Sequence, residues 1–433
     1  MNYISPKRAT FGTGGGNGLP ILRRTIRLVM AGGLCASAAV VSSCHPGQKT
    51  GGNFPTQEVL REAPIVRICL TARPVSSDDI STTHGYRLLA DGKTVSESQT
   101  PLSGATVSRT GGTWKINPLE TSSKLLVLEP IGGFVRRGQT AYRGSLHFVP
   151  TGPEEFQTIN HVDLESYLMG VLPKELYASW SQQTYLALAF AARTFAIYHM
   201  RTTAVGRPFD LGDDQGSQVY GGQTAETQKS RQAVNQTRGI VLAYGPADAP
   251  AIFKAQYSAC CGGRVNGAYV LRNAPRIPPL MGGQVCQDCS ASRHYRWSGL
   301  KISKSDIYLA LSKVYPAVGR LGGVGSIRVL STAPGARPLM LAIDGPTGET
   351  VHLRAEDLRL ALLRGGPPEA SKLYSMNCTI QDAGQYIEFT QGRGLGHGVG
   401  LCQWGAQGKA QRGMKCREIL EFYYPGSRQV KEY

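Results

Sequence analysis

Acidic residues are missing from the start of this chain: its first 43 residues carry five Lys or Arg and no Asp or Glu. Over all 433 residues, 47 Lys and Arg face 30 Asp and Glu, a net charge of +17, of which +12 remains when those five are set aside. No RNA- or DNA-binding motif accompanies the charge, and the basic residues are scattered. That argues against nucleic acid and for a solvated basic surface with affinity for an anionic envelope polymer or lipid. No internal repeat is present, which excludes a solenoid, and no low-complexity block. No apolar run is long enough to span a bilayer stably, since Leu28 to Val41 is too short.

What is present at the N-terminus is an export signal. Lys7, Arg8, Arg23, Arg24 and Arg27 precede that apolar run, which ends in Val41-Ser42-Ser43-Cys44. The pattern is that of a bacterial lipoprotein signal over residues 1–44, with Cys44 bearing the lipid, and its alternative is an ordinary secretory signal with a chance cysteine. Either places the protein in the cell envelope, in the first case anchored to the membrane by lipid. Residues 45–64 are Gly-, Pro- and polar-rich and read as a tether.

At 41% hydrophobic the chain buries a core of two or three domains. Strand signals fill residues 65–136: Ile65 to Ala72, a hairpin over Tyr86 to Val95 turning at Asp91-Gly92, and Lys124 to Glu129, with Ser145 to Val149 beyond. From Asp163 the period becomes helical. Leu164, Leu168, Val171 and Leu172 share a face, Asp163 caps the start, and Pro173 is expected to break or kink the helix. A helix over Gln182 to Arg201, apolar on all sides from Tyr185 to Ala192, belongs in a core. Further helical stretches fall near Ser303 to Val314, Ala355 to Arg364 and Cys416 to Tyr423. The class is α+β: a mixed β-rich and helical domain with a substrate groove over 137–430, preceded by a small β-rich region over 65–136.

Between Lys174 and Arg201 the only charged residues are Glu175 and Arg193. Glu175 lies among apolar and aromatic residues, Val171 to Trp180, where desolvation raises a carboxyl pKa and suits it to general-acid work on a glycosidic oxygen. Its plain alternative is a solvated Glu beside Lys174. Arg193, on an apolar helix, needs a carboxylate, carbonyls or a ligand. Asp163 or Glu165 would supply the first, and a substrate groove the last.

Cys286-x-x-Cys289 has zinc-knuckle spacing, but the usual second pair is missing. With one of Cys260 or Cys261, here Cys261, and His294, it would complete a closed, structural zinc site; a disulfide is the alternative in an exported protein. Near the C-terminus, glycine alternates from Gly392 to Gly400. An extended segment would show side chains on one face and bare backbone on the other, open to a ligand or a second chain. Gly396 and His397, with Gln403 and Trp404 just beyond, are therefore expected along the substrate groove near Glu175, His397 hydrogen bonding within the loop or to the substrate. Trp180 and Trp404 would stack on sugars or pack in the core.

Together these residues resemble the stage II sporulation protein D, or amidase-enhancer, family. The resemblance rests on Val162-x-Leu164-Glu165-x-Tyr167-Leu168-x-Gly170-Val171, then Glu175 and Trp180, then Ala191-Ala192-Arg193-Thr194. It continues with Tyr257-Ser258 and Cys261-Gly262-Gly263, the cysteine pair with Tyr295-x-Trp297, and Gly394-x-Gly396-His397-Gly398-Val399-Gly400. Gln403-Trp404-Gly405-Ala406, Ile419-Leu420 and Tyr423-Tyr424-Pro425-Gly426 close it. Leu176-Tyr177 replaces the usual Met-Pro, and Cys402 the usual Ser. The resemblance implies a lytic transglycosylase acting on peptidoglycan glycan strands that lack stem peptides, with Glu175 as the single acid and base. Its competing implication is a glycan-binding module that recruits or activates a cell-wall amidase.

Overall fold

The computed structural model describes Glu62–Tyr433 apart from Asn273; Cys44, the export signal and all but the last residues of the tether lie outside the described residues. Strands from Ile65 to Asp163 form two antiparallel sheets that pack face to face. The larger runs, in spatial order, Leu211–Gly212, Ile65–Cys69, Phe156–Asp163, Ser145–Pro150, Leu126–Ile131, Gly85–Ala90, Lys93–Ser98, with only the first pair parallel. The second runs Thr140–Tyr142, Val135–Arg137, Ser77–Thr82, Ala105–Thr110, Thr113–Ile116, Leu119–Thr121. Trp114 of the second sheet meets Phe156 and Phe148 of the first, ring centroids 5.1 and 6.4 Å away, and these rings fill the space between the sheets. The expected hairpin turns at Asp91 and Gly92, both at positive φ (48° and 79°), as a two-residue turn requires. The boundary expected at residue 136 falls inside the Val135–Arg137/Thr140–Tyr142 hairpin. The β-rich part therefore continues to Asp163, because strands after 136 complete both sheets.

The last strand of the larger sheet, Phe156–Asp163, runs straight into helix α1, Leu164–Glu175. Asp163 caps it, accepting from the Ser166 N–H at 3.0 Å. Pro173 does not end the helix as expected: α1 runs on to Glu175, and Leu176 turns extended (φ −126°, ψ 149°). Placed in the last turn, the proline removes one late hydrogen bond and has little helix left to distort. Helix α2, Gln182–Thr202, packs against α1, and α3, Gln228–Gln236, rests on both.

A second apolar core gathers residues 300–389, with Ile302, Ile307, Leu311, Leu341, Ile343, Leu358, Ile387 and Phe389 at its centre. Two three-stranded sheets and helices α4 (Lys304–Ser312), α5 (Pro316–Gly319) and α6 (Ala355–Gly365) enclose it. The chain then returns to the first core through the glycine run, α7 (Gln403–Gln411) and α8 (Cys416–Tyr423). No helix among the described residues is long and apolar enough to cross a membrane.

Candidate active site and thiolate cluster

Glu175, at the end of α1, is half-buried. Its Oε1 accepts from the Val219 backbone N–H at 3.0 Å and its Oε2 from Gln403 Nε2 at 2.9 Å. Burial raises its pKa; the two hydrogen bonds pull the other way, and burial prevails. The Val219 amide is held in place by close packing. Gly170 of α1 lies so near the 218–222 loop that a Cβ there would come within 2.5 Å of the Gly222 carbonyl oxygen. Tyr220 in turn donates to Asn160 Oδ1 of the sheet at 3.1 Å. Beneath this loop, buried Gln218 donates to the Tyr257 hydroxyl (2.9 Å) and accepts from that of Tyr167 (3.2 Å).

Two aromatic rings just after the acid in the chain, Tyr177 and Trp180, meet a third, Trp404 of α7. Trp180 lies 5.1 Å from Tyr177 and 5.0 Å from Trp404, and Tyr177 lies 5.7 Å from Trp404. Trp180 is 6% exposed and is the packed base; Trp404 is half-buried, and Tyr177, 57% exposed, is the open edge. Lys229 fastens the segment by donating to the Ala178 and Trp180 carbonyls at 2.7 and 2.6 Å. Gln407 of α7 accepts from the Ser181 N–H and the Thr184 hydroxyl, both at 2.9 Å. An acid beside an exposed aromatic edge is suited to protonating an oxygen between sugar rings stacked on that edge.

Arg193 is 0% exposed and does not face a groove, which corrects its assignment to substrate binding. Its guanidinium forks onto Glu165 at 3.1 and 2.7 Å and donates to the Ile240 and Val234 carbonyls and the Thr237 hydroxyl. A charge inside an apolar helix is tolerated only when its donors are taken up in this way. Glu165 is thereby spent, as Asp163 is on its cap, so neither serves Glu175 as a second carboxylate.

The glycine run is not an extended strand. Gly394, Gly396, Gly398 and Gly400 all have positive φ (79°, 91°, 70° and 68°), so the backbone alternates in hand. The second chain lying against it is the protein's own. Leu395 exchanges hydrogen bonds with Cys260, Gly396 donates to the Tyr374 carbonyl, and Asn266 donates to that of Gly398. A Cβ at Gly398 would sit 2.5 Å from the Asn266 side chain. His397 is 4% exposed, its Nδ1 accepts from the Val399 N–H at 3.0 Å, and burial lowers its pKa to about 3. Buried and locally bonded, His397 is a packing residue here, which corrects its expected place on the groove, while Gly396 is half-buried with its N–H spent on the Tyr374 carbonyl. Gln403 and Trp404, at the far end of the segment, do reach Glu175 and its aromatic edge.

The ligand atoms of Cys261, Cys286, Cys289 and Cys402 all lie within 4.8 Å of one another, and all four residues are buried. Zinc–thiolate bonds of about 2.3 Å at tetrahedral angles put sulfurs about 3.8 Å apart, and Cys261 Sγ is 3.7 Å from Cys289 Sγ. A disulfide brings two sulfurs together and leaves the others aside; this set is mutually close, and the donor chemistry fits a tetrahedral, thiophilic ion. His294 is corrected out of the set: its ring packs on Tyr374, centroids 4.4 Å apart, and its Nε2 meets Arg293 Nε. Cys402, the N-cap of α7, takes its place, its sulfur accepting from the N–H groups of Cys261 and Gly405, each at 3.3 Å. The sequence signal was its departure from Ser. With Cys261 141 residues away along the chain, no local spacing could pair the two.

The family model described as Stage II sporulation protein matches residues 153–244. An uncharacterised protein of Brachyspira hyodysenteriae is 31% identical over 312 residues, covering 72% of this chain and 78% of the relative. Stage II sporulation protein D of Bacillus subtilis is 27% identical over 319 residues, covering 68% and 82%. The Amidase enhancer of the same organism is 26% identical over 299 residues, covering 60% of this chain but 40% of that protein. The chain belongs to the stage II sporulation protein D family.

Proposed function

We propose that this protein works on the cell wall in the envelope as a lytic transglycosylase, cutting peptidoglycan glycan strands that have lost their stem peptides. The observation that carries the reading is Glu175, a half-buried carboxyl whose pKa is raised by burial beside an exposed aromatic edge. Raised, it holds the proton that a glycosidic oxygen needs when the bond to muramic acid breaks. The carboxylate so formed then removes the proton from the same sugar's 6-hydroxyl, whose oxygen closes on C1 as a 1,6-anhydro ring. Val219 N–H and Gln403 stabilise that carboxylate between the two proton transfers. Hydrolysis would require a second positioned carboxylate, and the two nearest in sequence, Asp163 and Glu165, are otherwise engaged.

A second reading follows from the relative called Amidase enhancer: the aromatic edge grips glycan and the protein activates a cell-wall amidase without cutting. Digestion of denuded strands followed by mass spectrometry separates the two. Muramyl ends lighter by one water than hydrolytic ends support the transglycosylase. Intact strands, with faster amidase turnover in the protein's presence, support the binding module.

Zinc is proposed as the structural ion of Cys261, Cys286, Cys289 and Cys402. Four thiolates leave no open position, so the ion would contribute folding energy and take no part in the reaction. Through Cys402 it would fix the first turn of α7, which carries Gln403 and Trp404. Lipid on Cys44 would hold the protein at the membrane.

A further inference from the structure

Where the second core meets the first, a cavity of about 180 Å³ is lined by Tyr269, Arg276, Ser331, Arg337, Arg354 and Glu356, among others. Three arginines surround it against one acid. That acid is already neutralised: Glu356 Oε2 accepts from Arg337 Nη2 at 2.9 Å, and Oε1 accepts from Arg359 at 2.9 and 2.6 Å. Arg337 is itself buried, and it follows Ala336, a non-glycine residue held at φ 67° in the turn between two strands. Backbone strain of that kind persists only where the surroundings impose it. Arg354 donates through Nη2 to the Val270 carbonyl at 2.7 Å, while its Nη1 is buried with no hydrogen-bond partner. A buried guanidinium nitrogen without an acceptor is costly, and such groups ordinarily meet water, an ion or a ligand. Arg276 stands exposed on the rim.

We propose that this cavity is a binding site for a compact anion, a carboxylate or a phosphate, received by Arg354 and Arg337 with Arg276 at the mouth. The guanidinium fork suits either group, since both present oxygens in the spacing of its donors. The volume exceeds the minimum for one water many times over, enough for such a group and a short substituent. Two envelope polymers offer this chemistry: denuded glycan, through the lactyl carboxylate uncovered when a stem peptide leaves muramic acid, and phosphate-bearing polymers. The site stands apart from Glu175 in its residues, so it can be tested whether or not the protein cuts glycan.

Inorganic phosphate is titrated into the intact protein by calorimetry, alongside Arg354→Gln and Arg276→Gln. Saturable binding that weakens about tenfold or more in each variant is the expected result. Arg276→Gln, on the rim, serves as the variant whose folding is not in question. Competition then identifies the source: displacement by N-acetylmuramic acid but not N-acetylglucosamine assigns the lactyl carboxylate, and displacement by neither assigns a phosphate. No saturable phosphate binding, or equal binding by both variants, overturns the proposal.

Discussion

The two halves of the segment from Gly392 to Gly405 differ in sequence, alternating glycines giving way to Leu401-Cys402-Gln403-Trp404, and they differ in what they do. In the first half, alternating glycines let backbone lie on backbone, and each hydrogen bond named for it goes to the protein's own loops. In the second half, three consecutive side chains reach three different features. Cys402 enters the cysteine cluster, Gln403 holds Glu175, and Trp404 joins the aromatic edge. Glycine periodicity marks where a chain must pass close to something; whether that is ligand or protein depends on what the fold brings alongside.

Disrupting the second half at its first residue should have the larger effect. Cys402→Ser should bring bound zinc from about one ion per chain to a small fraction by elemental analysis. Loss of a structural zinc removes on the order of 10 kcal/mol of binding free energy that would otherwise support folding, so melting should fall in step. Full zinc content with His294→Ala, but not with Cys402→Ser, is the sharper form of the same test.

Gly398→Val probes the first half. A β-branched residue at φ 70°, with its Cβ 2.5 Å from Asn266, should lose about 3 kcal/mol from strain and overpacking together. Denaturant unfolding measures that loss. The fraction that remains folded should bind glycan as the wild type does, since this backbone faces protein.

Gln403→Ala should have a smaller effect on the acid. Its hydrogen bond favours the ionised form of Glu175, so removing it raises the pKa further. The alkaline limb of the pH–rate profile, where the acid loses its proton, should move to higher pH. Turnover should fall about tenfold, the scale of one hydrogen bond to a charged group.

The least effect on activity should come from His397→Ala. Its folded pKa of about 3 means the unfolded chain takes up the proton first as pH falls below about 6.5. The histidine therefore lowers stability progressively on acidification. The variant should be less stable at neutral pH, through lost packing, and should show a shallower decline toward pH 4 in melting experiments. A tenfold loss of turnover without a loss of stability would return the histidine to the groove.

Much of the fold was legible because its signals are local. The Asp91-Gly92 turn, the Asp163 cap and the all-apolar face of α2 each depend on neighbours within a few residues, and each is found in the structure. What could not be read is set by distance along the chain. The sequence offers Arg193 two acids as partners, but its burial depends on Tyr433 and the 234–240 segment closing over Glu165. Cys402 entered the thiolate set from 141 residues away, while His294, nearer in sequence, turned to Tyr374. The sandwich boundary is not legible in the sequence because strands on either side of residue 136 share both sheets.

Glu175 is proposed to supply and recover the proton in strand cleavage. Glu175→Gln keeps the side-chain volume while removing the titratable proton, and it is compared with wild type on denuded glycan strands, with products identified by mass spectrometry. The wild type should yield 1,6-anhydro-muramyl ends and the variant about 100-fold less or lower still, with glycan binding retained. Undiminished release of those ends by the variant would contradict it.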